Sequence, residues 1–81
     1  AKYTPKTREE LQKLVQDESI YLGDIDTSAI TNMYSLFANS ERRDFSGIEL
    51  WDTSNVVKMV GMFFRAKHFN NNINSWDTSS V

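Results

Sequence analysis

Eighty-one residues suffice for one small domain that buries roughly 60% of its unfolded surface, and 40% hydrophobic residues, with Phe 5, Tyr 3 and Trp 2 among them, supply a packed core and argue against disorder. Nine Lys and Arg against eleven Asp and Glu leave a formal net charge of −2, which excludes a general nucleic-acid footprint or a polybasic membrane patch. There is no cysteine, so disulfides and thiolate chemistry fall away, and no run approaches the ~20 apolar residues of a membrane span.

In chain order, Pro5 precedes Thr7-Arg8-Glu9-Glu10, which has the S/T-x-x-E form of a capping box. A helix is therefore expected over 7–17, with Leu11, Leu14 and Val15 on one face. It has no counterpart downstream, which makes it a candidate cap for the rest of the chain.

From residue 22 the chain repeats. Asp26-Thr27-Ser28, Asp52-Thr53-Ser54 and Asp77-Thr78-Ser79 recur at intervals of 26 and 25 residues, a period characteristic of stacked repeat units. Leu22, Ile48 and Ile73 precede the triplets by four positions, Ile25, Trp51 and Trp76 by one, and Ile30, Val56 and Val81 come after them. The copies divide as 22–47, 48–72 and a truncated 73–81 within a single domain, 1–81, and an array ending in mid-copy is expected to continue. Each triplet region alternates like a short strand, with Ile or Trp and then Thr inward and Asp outward. The apolar spacing of Ile30, Met33, Leu36 and Phe37, and of Val56, Met59, Met62 and Phe63, predicts short helices over 29–39 and 55–66, with Ser28 and Ser54, or the Asp and Thr just before each, as candidate caps. Irregular returns, 39–47 and 67–72, are anchored by Phe45 and Phe69. A two-residue insertion around Ser40 to Arg43 belongs on a surface loop, where the Arg42-Arg43 pair is read as solvated.

The spacing Leu22-x-x-Ile25-x-Thr27-x-x-Ile30 resembles the opening of a leucine-rich repeat. A closer likeness lies in Trp51-Asp52-Thr53-Ser54-Asn55-Val56, then Met59, Gly61-Met62-Phe63, Ala66, Phe69-Asn70, Ile73 and Trp76-Asp77-Thr78-Ser79. That string is similar to the BspA-like bacterial surface-protein repeat, a family that includes a mycoplasma-type domain of unknown function. The first copy departs from it at Ile25, at Leu36 and in the insertion, as suits an end repeat. The resemblance implies an α/β, leucine-rich-repeat-like solenoid of short parallel strands and short helices, capped by the N-terminal helix. It also implies bacterial origin, display at the cell surface or secretion, and adhesion or host-protein binding for some members.

No catalytic constellation is assembled. His68 stands alone, and Ser54 has no histidine at a recognisable spacing. No enzyme activity, cofactor or nucleic-acid partner is therefore expected. A row of Asp26, Asp52 and Asp77 either attracts a hard cation such as calcium or turns back onto local backbone amides as Asx turns. Trp51 and Trp76 read as core before sugar platforms, Met33, Met59 and Met62 as core stripe, and Asn70-Asn71-Asn72 with Asn74 as a tight return; Tyr21 and Tyr34 remain as exposed contacts. The candidate partner-binding face is Asp24, Asp26, Leu50, Asp52, Ser75 and Asp77, matched to a basic patch on a host or matrix protein. The leading expectation is a monomeric, non-enzymatic interaction module. The alternative is a structural cap or spacer of a longer array with no ligand of its own.

Overall fold

The computed structural model describes residues 2–81. Its one α-helix, α1, spans Arg8–Val15. The Thr7 side chain accepts the Glu10 amide at 3.2 Å while the Glu10 carboxylate accepts the Thr7 amide at 3.2 Å, so the capping box is formed and satisfies two of the amides that a helix start leaves without partners. Leu11 and Val15 are the residues α1 buries, and they join a single core cluster with Leu22, Ile25, Ile30, Met33, Phe37, Phe45, Ile48, Trp51, Val56 and Met62.

The expected α/β solenoid of parallel strands and helices is not what the chain forms. Among the described residues there is no sheet: pairing is limited to two isolated parallel bridges, Tyr3 with Ile25 and Asn32 with Lys58. Short 3-10 turns at Leu22–Asp24 and Ile48–Leu50 lead into the first two triplets. The triplet regions alternate as expected, Ile25, Thr27, Trp51 and Thr53 being buried and Asp26 and Asp52 exposed, yet they are not strands. The amides of Ile25, Trp51 and Trp76 are drawn into their own turns, donating to Leu22, Ile48 and Ile73 carbonyls at 3.0–3.1 Å. No backbone ladder between copies is left to form there.

The helices expected over 29–39 and 55–66 are replaced by runs of turns. In the first copy the amides of Leu36, Ala38 and Ser40 donate to the carbonyls three residues back. The alternate amides, Met33, Ser35, Phe37 and Asn39, point the other way and donate to Lys58, Val60, Met62 and Phe64 of the second copy at 2.7–3.0 Å. Positive φ at Ser35 (52°) and Asn39 (58°), repeated at Gly61 (66°) and Arg65 (56°), rules out continuous helix. It places each at the third position of a turn, where a type II turn requires φ > 0. The apolar residues still recur at i, i+3 and i+4 because successive turns return the chain to the core at that same step.

Side chains join the copies elsewhere. Thr27 Oγ1 donates to the Asp52 carbonyl (3.0 Å) and Thr53 Oγ1 to that of Asp77 (3.2 Å). The indoles of Trp51 and Trp76 donate one copy back, to Leu22 (2.8 Å) and Ile48 (3.0 Å). Like rings sit over like, Phe37 on Phe63 at 5.6 Å and Trp51 on Trp76 at 6.4 Å, both nearly parallel. Such contacts add about 0.5–1.5 kcal/mol beyond the area they bury.

The inserted loop is a further correction, because Arg42 is not solvated. Only 6% exposed, its guanidinium donates to the carbonyls of Val15 (3.2 Å), Asp17 (2.8 Å), Ile20 and Asp44 (2.8 Å). Glu18 returns the tie by accepting the amides of Arg43 (2.8 Å) and Asp44 (3.1 Å). The insertion therefore clamps the chain leaving α1 to the first copy, with a cation at a helix C-terminus, where the macrodipole favours it.

Candidate functional site

The outer surface carries the acidic triplet positions in a row. Asp26, Asp52 and Asp77 are exposed, and Asp52 feels the charge of both neighbours, which raises its pKa. Each is nonetheless held below the ordinary carboxylate value. The main cause is the hydroxyl of the serine two residues on, followed by that serine's amide. The amides of Ser28, Ser54 and Ser79 donate to Oδ1 of the preceding Asp at 3.0 Å each, and the Ser54 hydroxyl reaches Asp52 at 2.6 Å. These are Asx turns, in which a short side chain stands in for backbone. The serines, expected as helix caps, are instead donors to the aspartates.

The same device occurs at Asp17 with Ser19 and at Asp44 with Ser46, both hydroxyl contacts being 2.6 Å. The first of these precedes the repeats and the second lies in the return of the first copy, away from its triplet, so the common signal is the spacing Asp-x-Ser rather than the Asp-Thr-Ser triplet. Asn72 closes the return in the same way, accepting the Asn74 amide at 2.8 Å.

Of the remaining candidate residues, Leu50 and Ser75 are exposed, and Ser75 Oγ donates to the Glu49 carbonyl at 3.1 Å. Asp24 is half-buried and partly committed. Its carboxylate lies 3.8 Å from Lys2 Nζ and its carbonyl accepts the amides of Lys2 and Tyr3. Among the described residues no three His, Cys, Asp or Glu side chains gather to hold a metal ion, so the acidic side chains form a row and not a cage. Trp51 and Trp76 are buried with their indoles bonded and offer no stacking platform. His68 is exposed.

A second exposed feature is anticipated by the sequence only at Tyr34. Tyr34, Val57, Val60 and Phe64 are solvent-facing residues of the turn runs, Val60 being 70% exposed. Arg65 lies over the Phe64 ring at 5.1 Å. Positions assigned to a helix give no warning of the rest, because the turn run sends outward residues that helical spacing leaves unassigned.

Among the described residues no helix is long and apolar enough to cross a membrane. Residues 8–81 match the model of a family described as Mycoplasma protein of unknown function, DUF285. No curated protein and no solved structure matches the chain.

Proposed function

The chain belongs to the Mycoplasma family of unknown function DUF285, and from that premise we propose that it is a non-enzymatic protein-interaction module of the BspA-like surface type. In this reading the module is displayed on or secreted from a bacterial cell and presents its acidic row to a basic patch on a host or matrix protein. The supporting observation is the row itself. Asp26, Asp52 and Asp77 spend one carboxylate oxygen, Oδ1, on the local turn, and their exposed side chains leave the charge available to a partner. Complementary potentials of this kind act on encounter rate and selectivity more than on raw affinity.

The test is binding of immobilised matrix proteins and of a lysine-rich peptide, followed by surface plasmon resonance as salt is raised. Affinity should fall with ionic strength and drop at least tenfold in the Asp26→Asn/Asp52→Asn double variant. Binding that survives both changes counts against the acidic row.

A second reading, a structural cap for a repeat array, draws support from α1, which buries Leu11 and Val15 against the first copy and whose Arg8 donates to the Tyr34 carbonyl. Absence of any basic ligand, together with aggregation after removal of residues 1–16, would favour the cap.

A further inference from the structure

The outward side of the two turn runs carries apolar side chains and cations but no carboxylate. Residues 29–39 and 53–76 contain no Asp or Glu, although the chain as a whole has a net charge of −2. Equivalent positions of the two copies lie side by side. The Val57 amide donates to the Thr31 carbonyl (2.8 Å), the Ser35 amide to that of Val60 (3.0 Å) and the Asn39 amide to that of Phe64 (2.7 Å). Tyr34 therefore borders Val60, and Val57 and Phe64 flank Val60 along the same run. Lys58 and Arg65 are exposed within that run and Lys67 just beyond it, and none of the three enters an ion pair among the described residues. The Arg65 guanidinium lies instead over the Phe64 ring at 5.1 Å, where cation–π attraction holds it beside the apolar surface. A stacked copy does not cover this side of the molecule. Tyr34 has the second copy joined to it and is still 53% exposed, because copies meet edge to edge. A further copy would lengthen the face and leave Val60 and Phe64 turned outward, as Tyr34 is.

We propose that this face is a docking site for a partner-protein segment in which carboxylates alternate with bulky apolar side chains. Charge complementarity selects the occupant. Exposed apolar surface rimmed by polar groups marks an interaction site, and here the rim is of one sign, so carboxylates on the partner would be steered to it and fixed in register by Lys58, Arg65 and Lys67. The apolar side chains of the partner would cover Tyr34, Val57, Val60 and Phe64. A lipid surface is the poorer match, since three cations fall short of the about four to eight Lys and Arg by which anionic lipid is recognised. The acidic row belongs to the triplets and takes no part, so the chain offers two faces of opposite sign.

The probe is a fluorescein-labelled peptide repeating the unit Asp-Phe-Glu-Leu, titrated with the intact 81-residue protein and followed by fluorescence anisotropy, with amide NMR shifts locating the contact. Binding should weaken at least tenfold when Asn and Gln replace the peptide's carboxylates, and at least tenfold when Ser replaces its Phe and Leu. In the protein, Lys58→Gln/Arg65→Asn and Val60→Ser/Phe64→Ser should each weaken it at least tenfold; asparagine tolerates the φ of 56° at that position. In the unaltered protein the peptide should shift the amides of Tyr34, Val57, Val60 and Phe64, a readout that does not depend on how the variants fold. No binding at millimolar peptide, equal binding of the uncharged peptide, or shifts confined to other residues each overturns the proposal. Binding to vesicles of phosphatidylcholine and phosphatidylserine in place of the peptide, or self-association that shifts the same four amides, assigns the face to a membrane or to a second copy and overturns it as well. The Asp26→Asn/Asp52→Asn variant should bind the peptide at least as well as the parent, which separates this face from the acidic row.

Discussion

Arg42 offers the sharpest test of how the fold is held. Its guanidinium donates to four carbonyls; three of them, Val15, Ile20 and Asp44, accept no backbone amide among the described residues, and of these three residues Val15 and Ile20 are shielded from solvent while Asp44 is exposed. Truncation to alanine strands the Val15 and Ile20 carbonyls, at about 1–3 kcal/mol for each unsatisfied buried acceptor, and leaves Glu18 without its cation. Relief from burying the guanidinium offsets part of this cost, burial being what pulls the arginine's pKa down. A net loss of about 3–4 kcal/mol is expected. A chain of this length has roughly 4–12 kcal/mol to lose, so the melting temperature should fall by about 15 °C or more. Arg42→Lys should lose over half as much, because one ammonium cannot reproduce the planar fork that reaches carbonyls on both sides. Arg43→Ala, at an exposed neighbour, should stay within about 0.5 kcal/mol. Urea unfolding of the three variants decides the matter: an Arg42→Ala protein within about 1 kcal/mol of the parent would refute the clamp.

Further outcomes concern the joints between copies. Thr53→Val should cost about 1 kcal/mol through loss of the bond to Asp77, while Thr78→Val, at an exposed hydroxyl, should cost almost nothing; equal urea midpoints would contradict this. Gly47→Ala should be severe, since φ is +93° and an added Cβ would collide with the Gly23 backbone nitrogen and the Tyr21 ring. Gly61→Ala should cost only about 1 kcal/mol, because the nearest atom is Ser35 Oγ at 3.2 Å. Finally, Asp17, Asp26, Asp44, Asp52 and Asp77 all titrate below their ordinary value of 3.8. Depressed folded-state values mean that their stabilisation is fully present above the unfolded value and is lost as pH falls through the folded ones. Thermal melts should therefore be flat from about pH 7 to 5 as far as these groups are concerned and decline below about pH 4. A melting temperature unchanged down to about pH 3 would remove the Asx turns from the account.

What could be read from residues alone was which side chains face inward, not the path of the backbone between them. Thr7 with Glu10 specifies its own geometry locally, because both bonds of a capping box lie within four residues. Ile25, Trp51 and Thr53 declare their burial by alternation. Met33, Leu36 and Phe37 fit a helix and a run of type II turns equally well, since both return to one face every three to four residues. Gly61 in the middle of one expected helix and Asn39 at the end of another were the available hints, as both residue types accept positive φ. Ser35 and Arg65, which adopt the same conformation, carry no such mark. Arg42 was illegible for a different reason: arginine in a polar loop is ordinarily solvated, and only the carbonyls brought together by the chain after α1 make its burial favourable.

The alternation of amides also bears on how the chain reaches this state. Amide–carbonyl bonds in the turn runs either close over three residues or span 25 or 26, and the threonine and tryptophan ties between copies span 24–29. The first contact between copies must therefore close a loop of about 25 residues, an entropic cost that grows only with the logarithm of loop length. Once that loop is shut, the remaining ties lie side by side and need no further closure. Folding should thus resemble a zipper with one slow step, its speed set by the first threonine or turn to find its partner and insensitive to residues that join the stack afterwards.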